Sequence, residues 1–351
     1  MFLFSVSLPG RFGNWCDAVI ARLAQATLGS VASTGANTAE ELAVELIKTD
    51  GDHLYVGARH PSRWLRDMLV GGDRNFVVAL EDPRRVASEL ISEHHLESAA
   101  ASRLVACSCA SLYQFAAAPR ALVVSSETAN SNPAAAVTAI AQHLGLRIDR
   151  PDAARLVADL DAADLSPRAD SATAPIAALP DQTATAIEGA LAPYAASFRG
   201  AGFPPIIWTR DLFLEENHCP ASHPIDIAGQ IRYLIYGPYI SLPPGSWAAE
   251  IVLGFSEDSV DVSYRIEVWA GSLLAMTQMQ PAAAGLRRIN VNFTLDESND
   301  HLVEVRVVNE RVAAGGRLVL GHATMQLVTD LSSAVVDSLS AELGLSQKEL
   351  Q

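Results

Sequence analysis

The sequence lacks any apolar run that approaches the roughly 20 residues needed to span a bilayer. It also lacks the pattern of a secretory signal, because the apolar run at 2–8 is short, no basic residue precedes it and Arg11 follows it closely. These absences predict no membrane span and a cytoplasmic protein. The 351 residues, 49% of them hydrophobic, are enough for two domains with cores of their own.

Positive charge and cysteine are scarce as well. The 25 Lys and Arg against 40 Asp and Glu give a net charge of −15, which disfavours nucleic acid or an anionic membrane as a partner. Cys107 and Cys109 are two residues apart in a helical stretch and point to different faces, so they predict neither a disulfide nor a metal pair. Cys219 lies between two histidines at 217–223 without a CxxC partner, and we expect a surface loop there and no metal.

Residues 1–205 alternate strand-length apolar runs with helical patterns, which is typical of a parallel sheet covered by helices on both faces. We therefore predict an α/β domain over 1–205, with a loop or linker at 164–180. The expected strands are 2–8, 53–56, 75–80 and 121–125, and the expected helices are 15–24, 39–47, 61–70, 85–94, 99–117, 133–144 and 181–198.

Residues 206–330 change to a period of two. Apolar and polar residues alternate over 247–255, 264–268, 289–295 and 303–307, and a last such run begins at Leu318. Strands of this kind with turn residues between them predict a second domain, an antiparallel β-sandwich over 206–330. Residues 331–351 return to a helical pattern and predict a C-terminal helix.

The first apolar run leads directly into a loop and a helix. Residues 9–14 read as a loop that contains Gly10 and Gly13, and the expected helix begins at Trp15. A strand, a glycine-containing loop and a helix in this order place backbone N–H groups at a helix N-terminus, where they can hold an anion. A plain connecting loop of the same shape is the alternative.

Three stretches together resemble the sulfotransferases that use the sulfate donor PAPS (3'-phosphoadenosine 5'-phosphosulfate). Residues 7–15 are similar to the loop that holds the 5'-phosphosulfate, 75–88 to the strand and turn that bind the 3'-phosphate, and 121–146 to the strand and helix that follow them. The resemblance covers about residues 1–200. It implies a P-loop-like sheet, PAPS as donor and a carbohydrate or other hydroxyl compound as acceptor.

The resemblance also assigns candidate site residues. Arg11 is the candidate catalytic cation, acting on the transferring sulfuryl group with the backbone N–H groups of residues 12–14. His60, His94 and His95 are candidate general bases, although a structural role is the alternative for each. The candidate donor-binding residues are Gly10, Phe12, Gly13, Asn14, Trp15, Arg84, Arg85 and Ser88.

The sequence departs from the family at the residues that contact the donor. Gly10 stands where the family has a basic residue, while Glu81 and Glu89 fall where it has an arginine and a serine on the 3'-phosphate. An ionised carboxylate repels phosphate and cannot donate a hydrogen bond to it. Arg84, Arg85 and Ser88 could compensate only with a rebuilt turn, which puts PAPS binding in doubt.

Residues 226–247 are similar to a segment appended to bacterial glycosyltransferase-like and sulfotransferase-like proteins of surface-polysaccharide pathways, which implies a carbohydrate context. Trp269 is one residue past the core position Val268, so it points to the opposite face and is the candidate carbohydrate-binding residue. Trp247 and Tyr264 are in phase with the core and are expected to be buried.

Two functions follow from these observations. The first is a sulfotransferase-like enzyme that acts on a carbohydrate hydroxyl in surface-polysaccharide metabolism. The second is a non-catalytic carbohydrate-binding or assembly protein that retains the fold, with a protein partner or a homo-oligomer left open. The substitutions at Gly10, Glu81 and Glu89 favour the second function, and the resemblance over 1–200 favours the first.

Overall fold

A computed structural model of the protein describes residues 1–48, 52–72, 74–167, 179–221, 224–297, 299 and 301–328. The chain divides into two compact units. The first consists of Met1–Phe203, Pro238–Pro243 and Asp300–Val303, and the second of Pro204–Gly237, Pro244–Asn299 and Glu304–Gln351. The helix that we expect over 331–351 lies outside the described residues.

The first unit contains a five-stranded parallel sheet with the strand order β2-β3-β1-β4-β5. The central strands are buried along almost their whole length because helices cover both faces, and this requires continuous apolar runs. The predicted α/β class is confirmed. The strands are β1 (Phe2–Ser7), β2 (Ala32–Gly35), β3 (Leu54–Ala58), β4 (Phe76–Leu80) and β5 (Ala121–Ser125).

The helices of this unit begin at residues suited to a helix N-terminus. The side chain of Asp82 caps α4 and Pro83 is its first residue, while Asn132 and Pro133 do the same for α7. The helices are α1 (Arg11–Leu28), α2 (Ala39–Lys48), α3 (Arg63–Gly71), α4 (Pro83–Ser92), α5 (Ser98–Ala116), α6 (Ser126–Ser131), α7 (Pro133–His143), α8 (Arg150–Ala162) and α9 (Asp181–Phe198).

The structure corrects four expectations for this unit. Helix α6 was not predicted, because it is six residues long and of its residues only Ala129 is buried. Strand β2 was not predicted, because it is a four-residue edge strand of sequence Ala-Ser-Thr-Gly without an apolar run. Helix α8 was not predicted either, since of its residues only Ala153 and Leu160 are buried. Helix α1 begins at Arg11 and not at Trp15, so most of the expected loop at 9–14 is the first turn of a helix.

The second unit contains two antiparallel sheets. One has the order β13-β10-β15-β6 with β7 paired to β15, and the other has the order β12-β11-β14-β8. The strands are β6 (Ile206–Thr209), β7 (Ile225–Asp226), β8 (Tyr233–Ile235), β10 (Gly245–Phe255), β11 (Tyr264–Ala270), β12 (Ser272–Met279), β13 (Gly285–Leu295), β14 (Val303–Asn309) and β15 (Arg317–Val328), while β9 (Pro238–Ile240) lies in the stretch 238–243 that belongs to the first unit.

The inner faces of the two sheets form one core. The ring of Phe255 in β10 lies 5.0 Å from the ring of Tyr264 in β11, centre to centre, and Trp247 is buried with them, as its phase predicts. This confirms the predicted sandwich. Strand β12 was not predicted, because Leu273 and Met276 are exposed and disturb the alternation. Within the described part of the chain, no helix is long and apolar enough to cross a membrane.

Candidate functional site

The carboxyl ends of the parallel strands form one edge of the first sheet. Strand β1 lies between β3 and β4, so the chain passes from one side of β1 to the other between these two strands. Ligands of open α/β sheets bind at such a point, outside the carboxyl ends of the strands. The segments that meet here are residues 8–10 after β1, residues 59–60 after β3 and residues 81–82 after β4.

Helix α1 begins at this edge. Gly10 is its N-cap, in an extended conformation (φ −130°, ψ 179°), and it supplies no capping side chain. The N–H of Asn14 donates to the carbonyl of Gly10 at 3.1 Å, so it is part of the helix and the expectation that it faces an anion is wrong. The N–H groups of residues 11–13 precede the helical bonds and form the positive end of the helix dipole.

Two carboxyl groups of the chain itself lie against these N–H groups. The N–H of Arg11 donates to Oε2 of Glu89 at 3.4 Å, and the carboxyl of Glu81 lies close enough to the N–H of Gly13 for this group to lower the pKa of the carboxyl. The positions that the resemblance assigns to phosphate-binding residues therefore supply carboxyl groups to the helix terminus.

Both glycines of this turn are required by close contacts within the protein. A Cβ at Gly10 would lie 2.5 Å from Oε1 of Glu81 and 3.0 Å from a methyl carbon of Val86. A Cβ at Gly13 would lie 2.6 Å from both the carbonyl of Leu8 and Oγ of Ser7. The space beside Gly10 is thus filled by the side chain of Glu81.

Burial and the nearby charge of Glu89 raise the pKa of Glu81 to about 8. The carboxyl is therefore mostly protonated at neutral pH, which corrects the premise that both glutamates are charged there. Its Oε1 is buried and has no hydrogen-bond partner among the described residues. Arg85, Arg59 and the N–H of Gly13 lower the pKa, but their effect is smaller than that of burial.

Arg11, the candidate catalytic cation, is paired with two carboxylates of α4 and the turn after it. Its Nε lies 2.9 Å from Oε1 of Glu89, and its guanidinium donates to both oxygens of Glu93 at 3.0 and 3.1 Å. The hydrogen bond to Glu93 raises the pKa of Arg11, against a smaller opposing effect of burial. A donor would have to compete with these glutamates for Arg11.

The candidate 3'-phosphate residues lie on the first two turns of α4. Arg84 donates to both oxygens of Asp82 and to Glu188 of α9, and Ser88 is buried. Burial alone would raise the pKa of Asp82, but the hydrogen bonds and charge of Arg84 lower it overall. Arg84 is thus part of the α4 cap, while Arg85 lies close enough to Glu81 to lower its pKa.

Phe12 and Trp15 are candidate donor-binding residues whose side chains belong to the core. Their rings stack with centres 5.6 Å apart, and both residues are buried. Only their backbone groups can serve a ligand at this edge. Asn14 has a polar partner, because its Oδ1 accepts a hydrogen bond from Arg59 at 3.0 Å.

Arg59, which follows β3, is a cation at this edge that the sequence analysis missed. Its guanidinium donates to Oγ of Ser7 and forms a 2.5 Å ion pair with Asp17. Asp17 also accepts hydrogen bonds from Ser5 at 2.9 Å and from Tyr55 at 2.5 Å. An arginine directly after a buried strand was the available signal, but nothing in the sequence identified its partners.

His60 is the one candidate base that is half-buried. Its Nδ1 lies 2.9 Å from Oγ of Ser108, and this hydroxyl already donates to the carbonyl of Leu104, so Nδ1 is the donor and Nε2 keeps its lone pair. Burial and the charge of Arg59 lower the pKa of His60, so it is neutral at pH 7. His94 and His95 are exposed at the end of α4.

A cleft of about 270 Å³ opens over the start of α1. Residues 9–11 and Asn14 form one side, and the charged groups around it are mainly acidic, namely Glu89, Glu93 and Asp164 against the single guanidinium of Arg11. This charge distribution is unfavourable to an anionic ligand. The described residues contain no group of three or more His, Cys, Asp or Glu side chains that could hold a metal ion.

Trp269 lies on the outer face of the β12-β11-β14-β8 sheet and is half-buried. Its indole N–H donates to Glu267 at 2.7 Å, and the guanidinium carbon of Arg306 lies 4.4 Å from its ring centre. The same carbon lies 5.6 Å from the ring centre of Tyr233, which is 46% exposed. Trp269, Arg306 and Tyr233 thus form an aromatic-arginine cluster across three strands, here called the Trp269 cluster.

Ion pairs between residues two positions apart on the same strand orient the polar groups around this cluster. Arg306 donates to Glu304 at 2.7 Å, and Arg265 donates to Glu267 at 2.5 Å. Leu273 and Met276 of β12 pair with Trp269 and Glu267 across the strands and extend the face with exposed apolar surface. The result is a sheet face with aromatic, apolar and hydrogen-bonding groups side by side.

No family model and no curated protein matches this chain. Among solved structures, mouse sulfotransferase SULT7A1 complexed with PAP is similar with a TM-score of 0.39 and 15% identity, over 48% of this chain and 66% of that one. Family 16 carbohydrate-binding module-2 gives a TM-score of 0.23 and 10% identity over 33% of this chain and 84% of the module.

A third similar structure is TmCBM61 in complex with β-1,4-galactotriose, with a TM-score of 0.22 and 11% identity over 36% of this chain and 89% of that one. Likenesses at this level do not transfer an activity or a ligand to this chain. The α/β unit and the β-sandwich are defined by the strand order of this chain itself.

The buried carboxyl of Glu81 predicts a pH-dependent stability. Because its pKa is raised from 4.5 to about 8, the folded state resists ionisation of a group that is ionised in the unfolded chain, and stability falls between these pH values. The full shift corresponds to at most about 5 kcal/mol. We expect Glu81→Gln to raise the melting temperature of the first unit by at least about 5 °C at pH 8.5 and much less at pH 5.

Calorimetry of both proteins at the two pH values checks this prediction. Glu127→Gln, at an exposed glutamate of α6, is the matched control and should leave the melting temperature unchanged at both pH values. Equal effects of Glu81→Gln at pH 5 and pH 8.5 would contradict a raised pKa.

Proposed function

We propose that this protein is a non-catalytic carbohydrate-binding protein, that the Trp269 cluster is its binding surface, and that the first unit retains a sulfotransferase-like fold without using PAPS. The observation that supports it is the partly exposed indole of Trp269 beside Arg306 and Tyr233. A pyranose ring can stack on an indole or phenol face, while charged side chains held in fixed positions bond its hydroxyls.

The geometry of the cluster favours a sugar over a purely apolar ligand. One face of the indole is covered by the guanidinium of Arg306, so a sugar would stack on its remaining surface or on Tyr233. Glu304 and Glu267 hold the arginine and the indole N–H, and the sheet keeps these groups in place without a conformational change.

Trp269→Ala tests the binding surface. We expect it to weaken binding to a polysaccharide or oligosaccharide found on a glycan array by at least about tenfold, which is a loss of about 1.4 kcal/mol. Tyr233→Ala should weaken binding less, and both are measured by isothermal titration calorimetry with the array hit. Because the indole contacts Glu267 and Arg306, we expect a modest loss of stability of about 1–2 kcal/mol.

Trp64→Ala is the matched control, because Trp64 is a 54% exposed tryptophan of α3 in the first unit. It should leave glycan affinity unchanged. An unmodified protein that binds no glycan on the array, or a folded Trp269→Ala variant with full affinity, would contradict the proposal.

Sulfuryl transfer by the first unit is the second candidate function. His60 favours it, since a neutral imidazole with a free Nε2 could accept the proton of an acceptor hydroxyl. Arg11, however, is paired with Glu89 and Glu93, and the cleft over α1 is acidic.

A titration with PAP, the desulfated donor product, decides between the two functions. We expect no binding at micromolar PAP, because displacing Glu89 from Arg11 and bringing a phosphate near acidic groups should cost about 4 kcal/mol, or roughly a thousandfold in affinity. Calorimetry and thermal shift provide the measurement. Micromolar binding by the unmodified protein would restore the catalytic function, with Arg85 and Ser88 as candidate ligands of the 3'-phosphate.

A further inference from the structure

The start of α1 has the properties of an oxyanion site and is already occupied by side chains of this chain. The helix is 18 residues long, and its N-cap is a glycine that leaves the terminal N–H groups without a capping side chain. The N–H of Arg11 donates to Glu89, and Oε1 of Glu81 lies beside Gly10, 2.5 Å from the point where a Cβ of this residue would be.

We propose that the carboxyl groups of Glu81 and Glu89 are internal occupants of an oxyanion site at the N-terminus of α1, and that they keep sulfate- and phosphate-type anions out of it. Removal of these carboxyls opens the site to a free oxyanion. This inference concerns the first unit and does not depend on carbohydrate binding by the second.

Glu81 provides an observation independent of the helix terminus. Its Oε1 is buried, has no hydrogen-bond partner among the described residues and lies 2.5 Å from the point where a Cβ of Gly10 would be. A buried oxygen without a partner is unfavourable. The side chain fills the space beside Gly10, at the N-cap of α1, where an anion bound to this helix terminus would lie.

Glu89 occupies the other part of the site. One of its oxygens lies 2.9 Å from Nε of Arg11 and the other 3.4 Å from the N–H of the same residue. Its side chain is 5% exposed, whereas that of Glu93, which also binds Arg11, is 37% exposed. Glu89 therefore accepts from the backbone N–H of Arg11 and forms an ion pair with its guanidinium, the two groups that an entering oxyanion would need.

The test compares sulfate binding by the unmodified protein and the Glu81→Ala/Glu89→Gln variant. Alanine vacates the space beside Gly10 that Glu81 fills, and the amide removes the charge of Glu89 and can donate a hydrogen bond to an anion. Sodium sulfate is titrated against sodium chloride at equal ionic strength, and binding is measured by thermal shift and calorimetry.

We expect the variant to bind sulfate saturably with a dissociation constant of about 1–10 mM, and the unmodified protein to bind at least about tenfold more weakly. Glu93→Gln is the matched control, because it removes a carboxylate from the same arginine but outside the turn; it should behave like the unmodified protein. Sulfate binding by the unmodified protein equal to that of the variant, or no sulfate binding by the folded variant, overturns the proposal.

Gly10→Ala gives a second test that holds even if the double variant does not fold. The added methyl group meets Oε1 of Glu81, so we expect a loss of at least about 5 °C in melting temperature in the unmodified background. In the Glu81→Ala background the same substitution should lower the melting temperature by less than about half as much. The contact of the added methyl group with Val86 accounts for the loss that remains. Equal losses in both backgrounds would show that Glu81 does not occupy the site.

Discussion

The contact between the carboxyl of Glu81 and the first turn of α1 constrains the whole carboxyl edge of the parallel sheet. It requires glycine at position 10, because any Cβ there would collide with Oε1 of Glu81. It also fills the space beside the N-cap of α1, where a ligand of the helix terminus would otherwise lie. Burial then keeps the carboxyl protonated at neutral pH, so the contact places a neutral group, and not a second charge, beside Glu89.

The two units differ in how their polar groups are used. In the first, the guanidiniums of Arg11, Arg59 and Arg84 are each bound to carboxylates of the same unit, and the neutral imidazole of His60 is a free base near this edge. In the second, ion pairs orient an indole and an arginine on an outer face of a sheet. Polar side chains thus bind one another in both units, but in the second they lie on the outer face of a sheet beside a partly exposed indole.

The elements that could be predicted are those whose burial determines their composition. Continuous apolar runs identified β1, β4 and β5, and strict alternation identified β10, β13 and β14. Strands such as β2 and β12 were missed because an edge strand has few buried side chains, so its residues carry little pattern. The start of α1 was placed four residues late, since its first turn contains the Gly13 that a sequence pattern assigns to a loop.

The sequence by itself determined the two fold classes, the strand-to-helix turn at Gly10 and the acidic residues that stand near it, because periodicity and local residue types decide these features. Only the tertiary structure decided what these residues contact. Arg11 and Glu89 are hydrogen-bonded although they lie 78 residues apart in the sequence, and Arg59 donates to Asn14 from the end of a neighbouring strand. Burial, which sets the pKa of Glu81, and the partners of each charged group depend on how distant segments pack, and no local pattern records that.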